Sequence, residues 1–185
     1  MDPYITLNCH TDETFFIENY FTIHNPFTGR KSSPVDLFPK QHNLIDQIDN
    51  EQIIIDIITE RQVGTTTIFA GHALWLAMFN SFMNVGMMGQ LNRHGSEFRR
   101  MVHLGYDNLP TFMQEKITVD NAYCTEFANG SRIHYLNSDP VNLRGRIFDC
   151  IIMDTFEHYT PSRQTELYEY ADRHYGGQFK QIALL

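Results

Sequence analysis

Two runs of mainly apolar residues, the first of them largely β-branched, limit what this chain can fold into more than any other feature. The first extends from Ile53 to Ile58 with Asp56 as its one polar residue, and the second extends from Phe148 to Met153. Nearly continuous apolar runs of this length predict strands that are buried on both faces, as in a parallel sheet covered by helices. Helical patterns follow both runs, so the sequence predicts an α/β fold.

The other elements follow from periodicity and turn signals. The Asn129-Gly130 pair favours a β-hairpin because both residues readily adopt positive φ, and this hairpin predicts an antiparallel addition to a mainly parallel sheet. Residues 1–40 are predicted to be irregular, within a single domain of residues 1–185. Because the last predicted strand is of core type, the architecture is expected to be truncated. Helices are predicted at Pro39–Ile48, Thr66–Asn80, Ser96–Asn108 and Pro161–His174, and further strands at Val85–Met88, Lys116–Asp120, Tyr123–Phe127, Ser131–Leu136 and Phe179–Leu185.

The composition argues against several classes of protein. Hydrophobic residues make up 42% of the chain and charged residues 19%, which is typical of a globular protein. The net charge of -8 argues against a general DNA binder, and the three widely spaced cysteines favour a reducing compartment without a zinc site. Arg93, Arg99 and Arg100 form a local basic patch that either contacts phosphates or is a solvated helix face. Neither a signal peptide nor a membrane span is expected.

The turn after the first apolar run has part of a phosphate-binding loop. Such a loop follows the pattern GxxxxGK[ST], and the corresponding stretch here is TERQVGTT, residues 59–66. Gly64 and Thr66 fit the pattern, whereas Thr59 replaces its first glycine and Thr65 replaces its lysine. Taken alone, the stretch favours an ordinary strand–turn–helix connection.

The second apolar run ends in Asp154, where a carboxylate that holds Mg²⁺ is needed at the edge of such a sheet. An acidic residue that simply ends a strand is the alternative, and a small metal cluster of Asp154, Glu157 and His158 is a further one. A hydrolase also needs a carboxylate nearby to orient the attacking water. The next residue is Thr155, and the nearest glutamate, Glu157, faces away if the strand continues but swings back in a turn or a helix start.

Several separate stretches resemble one protein family in the family's own order. They are FFIENYFTIHNPFTGRKSSPVDLFPKQHNLI, ITERQVGTTT, FANGSRIHYLNSDPVNLRG and FDCIIMD. They resemble the ATPase domain of the large terminase subunit of tailed bacteriophages, in particular its T4-like branch. The resemblance extends over nearly the whole chain and implies a P-loop NTPase-like fold with a mainly parallel sheet flanked by helices.

The resemblance also implies an activity, a location and partners. Large terminases use ATP and Mg²⁺ to drive viral DNA into an empty capsid in the host cytoplasm. Their partners are other terminase subunits, the portal and double-stranded DNA. The chain ends before the family's next motif and lacks its nuclease domain, so no nuclease activity is expected.

Matching positions assign roles to individual residues. Gln41 corresponds to the glutamine that contacts adenine, Arg61 to the arginine of the family's variant loop, and Arg144 to an Arg-Gly pair after the hairpin. Thr66 and Asp154 correspond to the two groups on the Mg²⁺ side. Arg61, Asp154 and Glu157 are the catalytic candidates, and the nucleotide-binding candidates are Gln41, Arg61, Gln62, Gly64, Thr65, Thr66, Thr67 and Arg144.

Two departures from the family's pattern bear on activity. Thr65 replaces the loop lysine, although some family members also lack it, and Thr155 stands where the family has its catalytic glutamate. A threonine cannot act as a carboxylate base, which in enzymes contributes about 10²–10⁴-fold to the rate. The sequence therefore predicts a terminase-like protein with weak or lost hydrolysis. The alternative is a catalytically inactive homologue that acts as a binding or regulatory protein.

Overall fold

The computed structural model describes residues 3–24, 31–32, 37–48, 51, 53–56, 64–176 and 180–182. Its helices are α1 (Pro3–Thr11), α2 (Glu13–Tyr20), α3 (Pro39–Ile48), α4 (Thr65–Phe79), α5 (Asn92–Asp107) and α6 (Pro161–Tyr175). Its strands are β1 (Ile23–His24), β2 (Lys31–Ser32), β3 (Ile53–Asp56), β4 (Asn84–Gly89), β5 (Ile117–Asp120), β6 (Cys124–Phe127), β7 (Arg132–Asn137), β8 (Cys150–Met153) and β9 (Lys180–Ile182). Two 3-10 helices cover Pro140–Leu143 and Phe156–His158.

A mixed seven-stranded sheet in the order β5-β6-β7-β4-β8-β3-β9 forms the centre of the fold. Strands β7, β4, β8, β3 and β9 pair in parallel, whereas β5, β6 and β7 pair antiparallel. The predicted α/β class, the mainly parallel sheet and the added antiparallel hairpin are confirmed. Gly130 has a φ of 85°, which gives the predicted turn between β6 and β7 the backbone conformation it needs.

Most predicted elements exist with bounds shifted by a few residues. The helix at Pro39–Ile48 has the predicted bounds, and α5 begins four residues earlier than predicted. The strand predicted at Ile53–Ile58 is described as far as Asp56, and the residues after it lie outside the described part of the chain. The short apolar strands could be predicted because they lie inside the sheet. Both of their faces are buried there, and this burial requires the continuous apolar runs seen in the sequence.

The prediction that residues 1–40 are irregular is wrong, because α1 and α2 lie in this segment. Asp12 caps α2: its side chain accepts a hydrogen bond of 2.8 Å from the backbone N–H of Phe15. Phe16 and Ile17 are fully buried and belong to the core that α4 shares. These helices are short, so tertiary packing stabilises them more than their own sequence does.

Apolar residues on the two faces of the sheet form two cores. The larger core joins α2, α3, α4 and α5 to one face, and the smaller core joins α6 to the other. Ile152 lies in the larger core and Ile151 in the smaller, as expected for adjacent residues of a strand buried on both faces. Within the described part of the chain, no helix combines the length and the apolar character that crossing a bilayer requires.

A buried polar contact fastens the N-terminal helices to α4. Nδ1 of His72 lies 2.9 Å from Oε1 of Glu13, and their side chains are only 2% and 5% exposed. Burial lowers the pKa of His72, but the charge of Glu13 and the hydrogen bonds with Glu13 and Cys150 outweigh it and raise the pKa to about 10. His72 is therefore protonated at neutral pH. The indole N–H of Trp75 also donates to the carbonyl oxygen of Cys9 at 2.7 Å.

We expect Glu13→Gln to lower the free energy of unfolding at pH 7 by about 3 kcal/mol, because it removes the counter-charge of a buried cation. The pKa of His72 is higher in the folded chain, so the pair's contribution is complete below about pH 6.5 and declines as the pH rises towards 10. Urea denaturation between pH 6 and pH 10 should show the difference from wild type narrowing over that window.

Glu18→Gln is the matched control for this prediction. Glu18 contacts His42 at 3.2 Å, but the two side chains are 37% and 43% exposed. Its loss should change the free energy of unfolding by less than about 1 kcal/mol. Equal effects of the two substitutions would contradict the importance of the buried pair.

Candidate functional site

Helix α4 begins directly after the segment 57–63 of the sequence, which lies outside the described residues. Gly64 occupies the N-cap position with a φ of 80°, and no side chain among the described residues caps the helix there. The first N–H groups of a helix have no intrahelical acceptor, so those of Thr65 and Thr66 are left without one. An uncapped helix N-terminus of this kind favours anions, phosphates among them.

The hydroxyl of Thr66 donates a hydrogen bond of 2.9 Å to Oδ2 of Asp154. Asp154 is 5% exposed, and its backbone N–H donates to the carbonyl oxygen of Met88 at 2.9 Å. The sheet explains this contact. Strands β3 and β8 are adjacent and parallel with Ile55 opposite Met153, so the residues that follow both strands meet at one edge.

Gln41 lies directly against Gly64. A Cβ atom at Gly64 would come within 2.7 Å of Nε2 of Gln41, and the positive φ of Gly64 also disfavours any other residue. Gln41 is 7% exposed, and its Oε1 accepts a hydrogen bond of 2.9 Å from the backbone N–H of Phe38. The glutamine therefore caps the start of α3 in the manner of a capping box while it contacts the first turn of α4.

Thr155 adopts a left-handed backbone conformation, with φ of 54° and ψ of 43°. This conformation costs a β-branched residue on the order of 1–3 kcal/mol, and it persists only where the surrounding structure holds it. The bend ends the β8 segment immediately after Asp154 and leads into the 3-10 helix Phe156–His158. That 3-10 helix packs against β3, the strand before the candidate loop.

Glu157 lies in this 3-10 helix and not on an extended strand. The strand does not continue through Glu157, so the argument from strand faces that turned its side chain away from Asp154 does not apply. Its Oε1 lies 3.3 Å from Nε2 of His158, and its Oε2 is buried without a hydrogen-bond partner among the described residues. The alternative metal cluster of Asp154, Glu157 and His158 is not formed: no three His, Cys, Asp or Glu residues in the described ranges are placed to hold a metal ion.

The remaining candidates fall outside this constellation. Arg61 and Gln62 lie outside the described residues. Arg144 is exposed, and its backbone N–H caps the 3-10 helix Pro140–Leu143. In the basic patch, Arg99 bonds Asp120 at 2.6 Å and Arg100 bonds Glu97 at 2.6 Å, so much of its charge is already neutralised.

Sequence reasoning missed a hydrogen-bonded group at the same edge of the sheet. The side chain of Gln90 donates to the carbonyl oxygen of His158 at 2.7 Å, and the Tyr159 hydroxyl donates to that of Met88 at 2.9 Å. A polar residue two positions after the predicted strand Val85–Met88 was the available signal for Gln90. The partners of both groups are about 70 residues away in the chain, so no local pattern predicts them.

Comparison with known proteins identifies the fold. No protein-family model matches the sequence. The structure is similar to the large terminase of bacteriophage HK97, with a TM-score of 0.64 over 94% of this chain at 11% identity. It is also similar to an ATPase-domain variant of the Thermus phage P74-26 large terminase, with a TM-score of 0.56 over 82% of this chain at 13% identity. The chain has a terminase-type ATPase fold.

The similarity covers only part of each terminase. The chain spans 43% of the length of the HK97 protein and 64% of the Thermus phage chain. At such low identity, the likeness concerns the fold, and the roles of individual residues have to be argued from this chain's own site. The likeness agrees with the family resemblance that the sequence motifs carry.

The packing of Gln41 on Gly64 makes a testable prediction. Gly64→Ala should lower the free energy of unfolding by about 2–4 kcal/mol, because it adds a clash to the cost of a positive φ. Gly145→Ala should cost only about 1–2 kcal/mol: the φ of Gly145 is 71°, and nothing lies within 4 Å of a Cβ built there. Urea denaturation measures both, and in a Gln41→Ala background the excess at position 64 should disappear.

Proposed function

We propose that this chain is a terminase-like nucleotide-binding module that binds ATP with Mg²⁺ and hydrolyses it weakly or not at all. One observation carries the proposal: the 2.9 Å hydrogen bond between Thr66, in the first turn of α4, and Asp154, just after the end of β8. P-loop NTPases hold Mg²⁺ with a loop Ser or Thr and with an aspartate at this place in the fold.

The donor atoms at this edge fit Mg²⁺. Thr66 supplies a hydroxyl and Asp154 a carboxylate, and Mg²⁺ prefers such oxygen ligands, completing its shell with waters and phosphate oxygens. Two protein ligands are therefore enough. A bound Mg²⁺ would neutralise phosphate charge, while Thr66 and Asp154 would fix where that charge lies.

The first turn of α4 supports a phosphate site next to these ligands. The N–H groups of Thr65 and Thr66 have no acceptor within the helix, and Thr67 lies in the same turn. We include Arg61, Gln62 and Gly64 in this loop by their place in the sequence. Gln41 is proposed to lie on the base side of the site, and Arg144 remains a candidate by its motif alone.

Weak hydrolysis follows from the residue after Asp154. Thr155 offers no carboxylate to orient a water, and its left-handed backbone leads into the 3-10 helix that carries Glu157. Glu157 is the one acidic residue of that helix, and one of its carboxylate oxygens is buried without a described partner. We therefore assign any residual water activation to Glu157.

The biological setting is proposed from the same likeness. A terminase-like module works in the packaging of viral DNA in the host cytoplasm, with other terminase subunits, the portal and double-stranded DNA as its partners. The second candidate function is a binding or regulatory protein that keeps the fold without turnover. Thr155 favours this candidate, because a group that cannot remove a proton stands directly after Asp154.

Nucleotide binding is tested by titrating a fluorescent ATP analogue with and without Mg²⁺. We expect Mg²⁺ to increase the affinity of the wild type for the analogue. Thr66→Ala or Asp154→Asn should reduce this increase by a factor of at least about ten, which corresponds to a loss of about 1.4 kcal/mol of binding free energy. Thr165→Ala is the matched control, because Thr165 is also in the first turns of a helix and donates to Pro161 at 3.0 Å. An affinity of the wild type that is the same with and without Mg²⁺ would overturn the proposed site.

Hydrolysis is tested by phosphate release with and without double-stranded DNA. We expect little or no turnover by the wild type, and Thr155→Glu should raise any residual rate because it restores a carboxylate beside Asp154. Glu157→Gln should abolish whatever turnover the wild type has. Robust wild-type turnover that Asp154→Ala abolishes would contradict the proposal of weak or lost hydrolysis.

A further inference from the structure

Gln90 bridges two neighbouring strand ends at the carboxyl edge of the sheet. It follows β4 directly, and its Nε2 donates a hydrogen bond of 2.7 Å to the carbonyl oxygen of His158, beyond the end of β8. Its own carbonyl oxygen accepts a bond of 3.0 Å from the hydroxyl of Ser138, just after β7. The backbone of Gln90 is therefore bonded to the segment after β7, and its side chain is bonded to the segment after β8.

Ser138 is bonded in turn to a residue of α6. It is fully buried, and its Oγ accepts a hydrogen bond of 2.9 Å from Nη1 of Arg163 in the first turn of α6. A hydroxyl that accepts from one group and donates to another has a fixed orientation. Hydrogen bonds therefore run without a break from Arg163 through Ser138 and Gln90 to His158, across the ends of three strands.

The segment at the end of this series contains a strained residue that needs outside support. Thr155 holds a left-handed conformation that such a residue keeps only when its surroundings enforce it. Two further bonds act on the same turn: the Tyr159 hydroxyl reaches the carbonyl oxygen of Met88 at 2.9 Å, and Gln164 reaches that of Phe156 at 2.9 Å. Gln90 is the member of this group that links the turn to β7 and α6 at once.

We propose that Gln90 is a positioning residue that holds the turn 154–158 in place, so that Asp154 and Glu157 keep their orientation towards bound Mg²⁺-nucleotide. This inference rests on the proposed function for its ligand. The hold on the turn itself is a property of the chain alone. Gln90 does not act on the nucleotide directly: its side-chain amide is committed to the carbonyl oxygen of His158.

Gln90→Leu removes the donor at nearly constant volume and tests this role. In the titration with a fluorescent ATP analogue, Gln90→Leu should reduce the affinity gained from Mg²⁺ by about fivefold, the effect of one lost hydrogen bond, and leave the affinity without Mg²⁺ unchanged. Ser138→Ala should have a smaller effect of the same kind. It removes the hydrogen bonds of Ser138 with Gln90 and Arg163 and leaves the bond between Gln90 and His158 in place.

Gln114→Leu is the matched control. The side chain of Gln114 also donates to backbone carbonyl oxygens, those of Tyr106 and Leu109, at the far end of α5. It should leave both affinities unchanged. An equal loss in Gln90→Leu with and without Mg²⁺ would mark a general structural defect and overturn the positioning role, as would an unchanged response to Mg²⁺.

Amide hydrogen exchange separates this inference from the proposed function. The backbone amides of His158 and Tyr159 are hydrogen-bonded within the turn, at 3.0 Å each. Gln90→Leu should speed their exchange by about fivefold and leave the amides of β6 unchanged. If the wild type binds no nucleotide, the proposed function is overturned, and faster exchange in the turn still supports the positioning role. Unchanged exchange overturns the positioning role whether or not nucleotide binds.

Discussion

The parallel pairing of β3 with β8 is the constraint on which the rest of the site depends. Ile55 lies opposite Met153, so the two strands end at the same level and the segments after them emerge together. Both strands are buried between helical layers, and a slip of one residue would exchange the side chains that pack in the two cores. The contact between Thr66 and Asp154 therefore follows from the register of the core.

The sequence was most informative where local patterns and burial agree. The two apolar runs and the Asn129-Gly130 turn predicted the sheet and its hairpin, and a polar residue after an apolar run singled out Asp154. The left-handed conformation of Thr155 was not predictable, since neither glycine nor asparagine stands there to signal it. Contacts such as that of Gln41 with Gly64 join distant segments, and no periodicity encodes them.

The replaced lysine can be weighed by charge. A helix N-terminus acts as roughly half a positive charge, whereas a lysine supplies a full one. The open end of α4 therefore provides only part of the charge that the usual loop offers a triphosphate, and Mg²⁺ held by Thr66 and Asp154 would have to supply more of it. A nucleotide site of the proposed composition would therefore depend more on Thr66 and Asp154 than a site with a lysine does.

The two contacts of the Gln41 side chain have a thermodynamic consequence. Its Oε1 is bound to the start of α3, and its amide nitrogen lies against Gly64 at the start of α4. Any ligand that takes over the Oε1 of Gln41 must first uncap α3, at a cost of about 0.5–2 kcal/mol. By linkage, a change that loosens the start of α3 would strengthen that ligand's binding. In the proposed nucleotide site, substitutions at the start of α3 would therefore change the affinity for the base and leave the phosphate contacts unchanged.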